Sequence, residues 1–177
     1  MDSFWKSVLW QQCGAAIDML ENAIRDCPDA VWSDPAKKPQ WLSNDVVGFW
    51  YVVYHTLFFQ DYFFSDSANE FRPPPPFNLD ELDPAGLLPD RPYSKSELQN
   101  YLQHCRLKCR KAINDLTEDK ARQRCGFERL ELSVAELFLS NMRHTQHHVA
   151  QLNLILRQKT SSAPGWVGKT KVPIGSE

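Results

Sequence analysis

NMRHTQHHVAQLNLILRQ, residues 141–158, holds three of the chain's five histidines inside a stretch that reads as a helix. Upstream, Ser133 and Glu136 in SVAE form a capping-box pattern, and apolar residues continue at helical spacing to Leu156. The spacing predicts a helix over 133–159. At about 100° per residue, Leu137, Asn141, His144, His148, Gln151 and Ile155 follow one another along one side. His144 and His148 therefore share the core-facing arc of Val134, Phe138, Val149 and Leu152, whereas His147 falls toward the flank of Ser140 and Leu154.

Three more helices precede this one. Val8, Leu9, Cys13, Ala16, Ile17, Leu20, Ala23, Ile24 and Cys27 make a stripe that Pro28 ends, which predicts a helix over 3–27. Ser43, Asn44 or Asp45 can cap a second helix over 43–64, apolar nearly all round and so expected to be buried. Ser94 and Glu97 repeat the capping-box pattern ahead of a stripe from Leu98 to Leu116, giving a helix over 94–117. Between the second and third lie residues 65–93, with PPPP, DPAG and LPDRP, a composition that opposes helix and strand. The 72–92 part is expected to act as a covering loop. The tail, 160–177, lacks apolar periodicity, and Trp166 and Val167 are its expected anchors. The fold expected is all-α: a four-helix bundle with a long Pro-rich connection between helices two and three, one domain over 1–177.

Composition removes several function classes. Twenty basic and 22 acidic side chains, spread along the chain, give a net charge of −2 and no single-sign block for nucleic acid or a membrane surface. The longest apolar run, VVGFWYVVY, is too short to span a bilayer. Five cysteines form no CxxC pair, and MDSFWKSVLWQQCG lacks a basic region followed by an apolar signal core, so free thiols in the cytoplasm are expected. Cys105 and Cys109 fall on the apolar stripe of helix three and read as core. No GxSxG elbow, phosphate loop or ExxH pair is present.

The histidines remain. Two imidazoles four apart on one helical face can hold the same metal ion, although an HxxxH pair alone is weak evidence. Burying them between Asn141 and Gln151 costs free energy unless each polar atom finds a partner. His55 lies on the stripe Gly48, Tyr51, His55, Phe59, Tyr62 of helix two. By itself it reads either as a hydrogen-bonded core residue or as a third ligand, since facing helices of a bundle can bring it to His144 and His148. His147 reads as an exposed or supporting histidine. Tyr51, Tyr54, Phe58, Phe59 and Tyr62 are available as aromatic walls or as plain core. Asp61 and Glu136, the nearest acidic residues, are expected in caps and surface pairs, leaving no evident general base.

An aromatic-rich second helix with His55, together with RHTQHHVAQL on the last helix, resembles the DinB superfamily of metal-binding four-helix bundles, over nearly the whole chain. The family segment is of the type NHxxHHxGQ. Arg143 stands where the family often has Asn, and Val149 and Ala150 where it often has Arg and Gly, while Gln151 is retained. The resemblance implies that His55, His144 and His148 bind a divalent metal. Zinc or nickel suits imidazole ligands. It also implies an activity of the thiol S-transferase or hydrolase type, a small-molecule substrate with a low-molecular-weight thiol, and a homodimer. The alternative is a non-catalytic metal-binding or stress-related bundle.

Overall fold

The computed structural model describes residues 2–36 and 47–175. Among these, the long helices are α1 (Ser3–Asp26), α3 (Phe49–Phe63), α4 (Lys95–Asn114) and α6 (Val134–Thr160), with short α2 (Asp29–Trp32) and α5 (Glu118–Arg122) between them. Helix α1 packs against α4 and α6, and α3 packs against the same two. The four long helices thus close a ring in which α3 is the neighbour of α6. That adjacency faces His55 toward the histidines of the last helix.

Local chemistry sets the helix ends. Helix α1 starts at Asp2, whose carboxylate accepts the Phe4 N–H at 2.9 Å, and stops at Cys27, forced into extended backbone (φ −74°, ψ 120°) by Pro28. Both capping boxes form: the side chain of Ser94 accepts from Glu97 N–H and that of Ser133 from Glu136 N–H, with the glutamates returning bonds to the serine backbone. Helix α6 ends at Ser161, in the left-handed region at φ 59°.

The second long helix begins later than its composition suggests. Val47–Gly48 is a two-residue strand, β2, antiparallel to β1 (Pro35–Ala36), so α3 starts at Phe49 with no side-chain cap. The expected caps Ser43, Asn44 and Asp45 lie outside the described residues. Gly48 is required there by close approach: a Cβ would sit 3.0 Å from the Trp32 carbonyl and 2.8 Å from the Trp50 ring.

The connection from α3 to α4 enters the core as well as covering it. Phe71, Phe77 and Tyr93 are all buried, and Phe77 stacks on Tyr101 at 4.3 Å between ring centroids. Its middle turns through a 3-10 segment, Asp80–Leu82. At its end Lys95 pairs with Asp29 at 2.6 Å, and the Trp32 indole donates to the Tyr93 carbonyl at 2.9 Å.

Residues 115–133, which show no helical period, fold back on the end of α3. Gly126 lies so close to that segment that a Cβ would sit 2.2 Å from the Asp66 carbonyl oxygen. Backbone cannot yield as a side chain does, so Gly126→Ala is expected to cost about 1–3 kcal/mol, read as a lower urea midpoint at unchanged m-value.

The tail is held differently from expectation. Trp166 is 74% exposed, although Val167 packs on the core. The main anchors lie further on. The Trp10 indole donates to the Val172 carbonyl at 2.7 Å, the Thr170 N–H donates to Gln11 at 3.1 Å, and the Thr170 side chain fills the notch left by Gly14.

Candidate metal centre

Because α3 and α6 are neighbours, the aligned stripes of the two helices meet, and His55, His144 and His148 converge. One ligand atom from each lies within 4.8 Å of the others, and the ring centroids are 4.5 Å (His144–His148), 4.8 Å (His55–His148) and 5.4 Å (His55–His144) apart. His55 and His148 are buried and His144 half-buried. Phe59 packs on both His55 and His144, at 4.8 and 5.8 Å. Asn141 fixes the register of the two helices by donating its amide to the Gln60 carbonyl at 3.1 Å.

Two of the rings are oriented from behind. The Nδ1 of His55 lies 2.8 Å from a carboxylate oxygen of Glu81, in the 3-10 turn of the Pro-rich connection. A carboxylate oxygen accepts here, so His55 donates its Nδ1–H and Nε2 is the ring nitrogen that can ligate. The Tyr51 hydroxyl is a further hydrogen-bond partner of Glu81. The Nδ1 of His148 lies 2.8 Å from Gln151 Oε1, again a donor to an acceptor, while the Gln151 amide nitrogen lies 3.1 Å from His147 Nε2. His147 is exposed and lies outside the cluster, yet through Gln151 it holds His148 in its tautomer. His144 Nδ1 is buried with no hydrogen-bond partner among the described residues.

Burial, followed by the neighbouring histidines, pulls His144 down to about 3. His148 falls to about 4 through burial and His55, against an opposing pull from the Gln151 hydrogen bond. Both are neutral at pH 7, the form that ligates a metal. A tetrahedral ion with bonds of about 2.0–2.1 Å needs its nitrogens about 3.3 Å apart. The His144 and His148 Nε2 atoms are 3.0 Å apart, close to that spacing, and the ligand atoms of all three rings lie within 4.8 Å of one another, so the group could hold one ion.

The family model of the DinB superfamily matches residues 12–152. The chain belongs to the DinB superfamily. Neither a curated protein nor a solved structure matches it. The DinB superfamily is a metal-binding family, and the matched span includes all three converging histidines.

Other expectations fall differently within this DinB-superfamily chain. Among the five aromatics proposed as walls, Phe59 and Tyr51 contact His55, whereas Tyr54, Phe58 and Tyr62 pack into aromatic clusters with Phe71, Phe77, Tyr93 or Phe127. Cys105 and Cys109 are fully buried, and burial pushes both thiols well above the ordinary cysteine range. Glu136 is a cap as expected, but Asp61 is not a surface residue. Its fully buried carboxylate accepts from Lys108 at 2.5 Å and from Tyr101 at 3.0 Å, and lies 3.3 Å from the His104 ring. Glu81 was not legible as a site residue. Its one signal is indirect: a buried histidine that ligates through Nε2 needs an acceptor at Nδ1.

A larger hollow, about 740 Å³, lies elsewhere, lined by Phe64, Lys108, Lys111, Lys120, Phe127 and Phe138 among others. Its three lysines are paired with Asp61, Asp115 and Asp66. No helix among the described residues is long and apolar enough to cross a membrane.

Proposed function

We propose that this chain is a metal-dependent enzyme of the thiol S-transferase or hydrolase type, with zinc or nickel held by His55, His144 and His148. The observation that carries the reading is the asymmetry of the cluster. His55 and His148 are buried and tied from behind through Nδ1, while the half-buried His144 borders an opening to solvent. A divalent ion bound by three imidazoles with an open position lowers the pKa of a thiol or water and polarises an electrophile. The protein's own part is orientation: Glu81 fixes His55, Gln151 and His147 fix His148, and Phe59 packs against the rings of His55 and His144.

Such supporting acceptors typically contribute tenfold to hundredfold in metal affinity. Glu81→Gln and Gln151→Ala are each expected to weaken zinc by about that factor, measured by competition with a chromophoric chelator, with the helical circular dichroism unchanged.

The partners this reading names are a low-molecular-weight thiol, a small electrophile and a second copy of the chain, in a cytoplasm that keeps the five buried cysteines reduced. The test is steady-state turnover of such a thiol with an aromatic halide by the zinc- or nickel-loaded protein, expected to exceed that of the metal-free protein. A second reading, a non-catalytic metal-binding bundle, draws support from Glu81, the carboxylate that reaches the histidines, being taken up by His55 and Tyr51 rather than free as a base. One bound ion per chain without any added rate would favour it.

A further inference from the structure

Helix α6 borders the cluster on its solvent side with a recess of about 500 Å³, lined by Ser140, Arg143, His144, Gln146 and His147. His144 is the one member of the triad that reaches it. The lining contains no acidic side chain, and Arg143 is exposed with no hydrogen bond or ion pair among the described residues. The closest acidic residue before it on the helix, Glu136, is engaged in the Ser133 capping box.

The charges about the cluster are correspondingly one-sided. Imidazole ligands bring no formal negative charge to a bound dication, and the carboxylate of Glu81 lies behind His55 and outside the lining of the recess. Among the described residues that line the recess, Arg143 alone is a lysine, arginine or acidic residue, beside His144 and one helical turn before His147. Helical neighbours at such spacing lie about 5–6 Å apart at Cβ. A planar guanidinium there binds a carboxylate through two parallel hydrogen bonds.

We infer that Arg143 is the specificity residue of this site, selecting ligands that carry a carboxylate a few atoms from the group presented to the metal. The inference rests on the metal-site reading above. It names the class of the small molecule: an anionic thiol or an anionic electrophile in preference to a neutral one of the same size. Arg143 holds the carboxylate in the recess, His144 marks the side from which the donor atom arrives, and the exposed position of Arg143 makes the preference salt-sensitive.

The experiment loads the full chain with cobalt(II) and titrates it with two thiols of equal size, 3-mercaptopropionate and 3-mercaptopropionamide, following the thiolate-to-cobalt charge-transfer absorbance. The wild-type protein is expected to bind the carboxylate thiol about fivefold to tenfold more tightly at low salt, the worth of one charge-assisted hydrogen-bonded contact that stays partly exposed. In Arg143→Gln the preference should fall to near unity, while cobalt stoichiometry and affinity for the amide thiol stay at wild-type values. Arg143→Lys should restore part of it. A preference that survives in Arg143→Gln, or that is missing from the wild type, overturns the role of Arg143 and leaves the metal site standing. A wild-type protein that binds no cobalt, or whose cobalt spectrum neither thiol alters, overturns the metal-site reading, and this inference with it.

Discussion

Replacing His148 with Ala is expected to reduce zinc affinity by roughly 10²–10³, so that protein purified without added metal drops from about one ion per chain to a small fraction. The magnitude follows from dividing the ~10–16 kcal/mol of a four-ligand zinc site among its ligands, about 2.5–4 kcal/mol each. His148 is the most informative of the three because it is buried and its Nδ1 is already committed to Gln151. Elemental analysis of the untagged protein and of the His148→Ala variant measures the effect, and His147→Ala is the comparison. His147 touches the site through Gln151 and through a 5.0 Å ring contact with His148, and it is not one of the three converging histidines, so its loss is expected to cost far less. Equal metal content in wild type and His148→Ala would remove the cluster from consideration as a metal site.

The second large effect lies away from the histidine cluster. Asp61→Ala removes the carboxylate shared by Lys108, Tyr101 and His104 and leaves the Lys108 ammonium without a counter-charge, hydrogen-bonded to the residue 61 carbonyl and the Ser65 hydroxyl. Breaking such a pair is expected to cost about 3 kcal/mol, the low end of the usual range because Lys108 keeps 28% exposure. For a chain of this size that corresponds to a Tm about 6–12 °C lower. Burial pushes the Asp61 carboxyl upward, but hydrogen bonds from His104 and Lys108 and the Lys108 charge outweigh it, holding the group below its ordinary 3.8. A carboxyl depressed in the folded state contributes stability that is complete above 3.8 and is lost as pH falls through the lower folded value. The gap between wild type and Asp61→Ala should therefore be full at pH 7 and narrow below about pH 4, which thermal melts across that range will show.

The same two regions explain what could be read from the chain alone. Helix α6 and its capping box are local patterns, and so are the three- and four-residue steps that put His144 and His148 on one face. Helix α3 was harder on both counts. Its start is set by pairing with Pro35–Ala36, a contact across ten or more residues that no local period reports. Its apolar residues run nearly all round, so no polar face marked where Asp61 points. The missing signal was on α4, where Tyr101, His104 and Lys108 recur at three- and four-residue steps and converge on that carboxylate. Glu81 sits in a turn of an aperiodic connection, and only the need of His55 for an acceptor pointed to any such group. Trp166 stays exposed because the tail is held instead by backbone carbonyls and a threonine methyl, contacts that leave no mark in the sequence.

The sequence distance between α3 and α6 also has a consequence for biogenesis. His55 lies in the first third of the chain, while His144 and His148 belong to the last long helix, so the three nitrogens come together only when α6 docks on α3. Until that helix has left the ribosome, a growing chain offers His55 alone, too few donors to compete for a tightly buffered cellular metal. Any ion held by all three histidines must therefore follow the docking of α6 on α3.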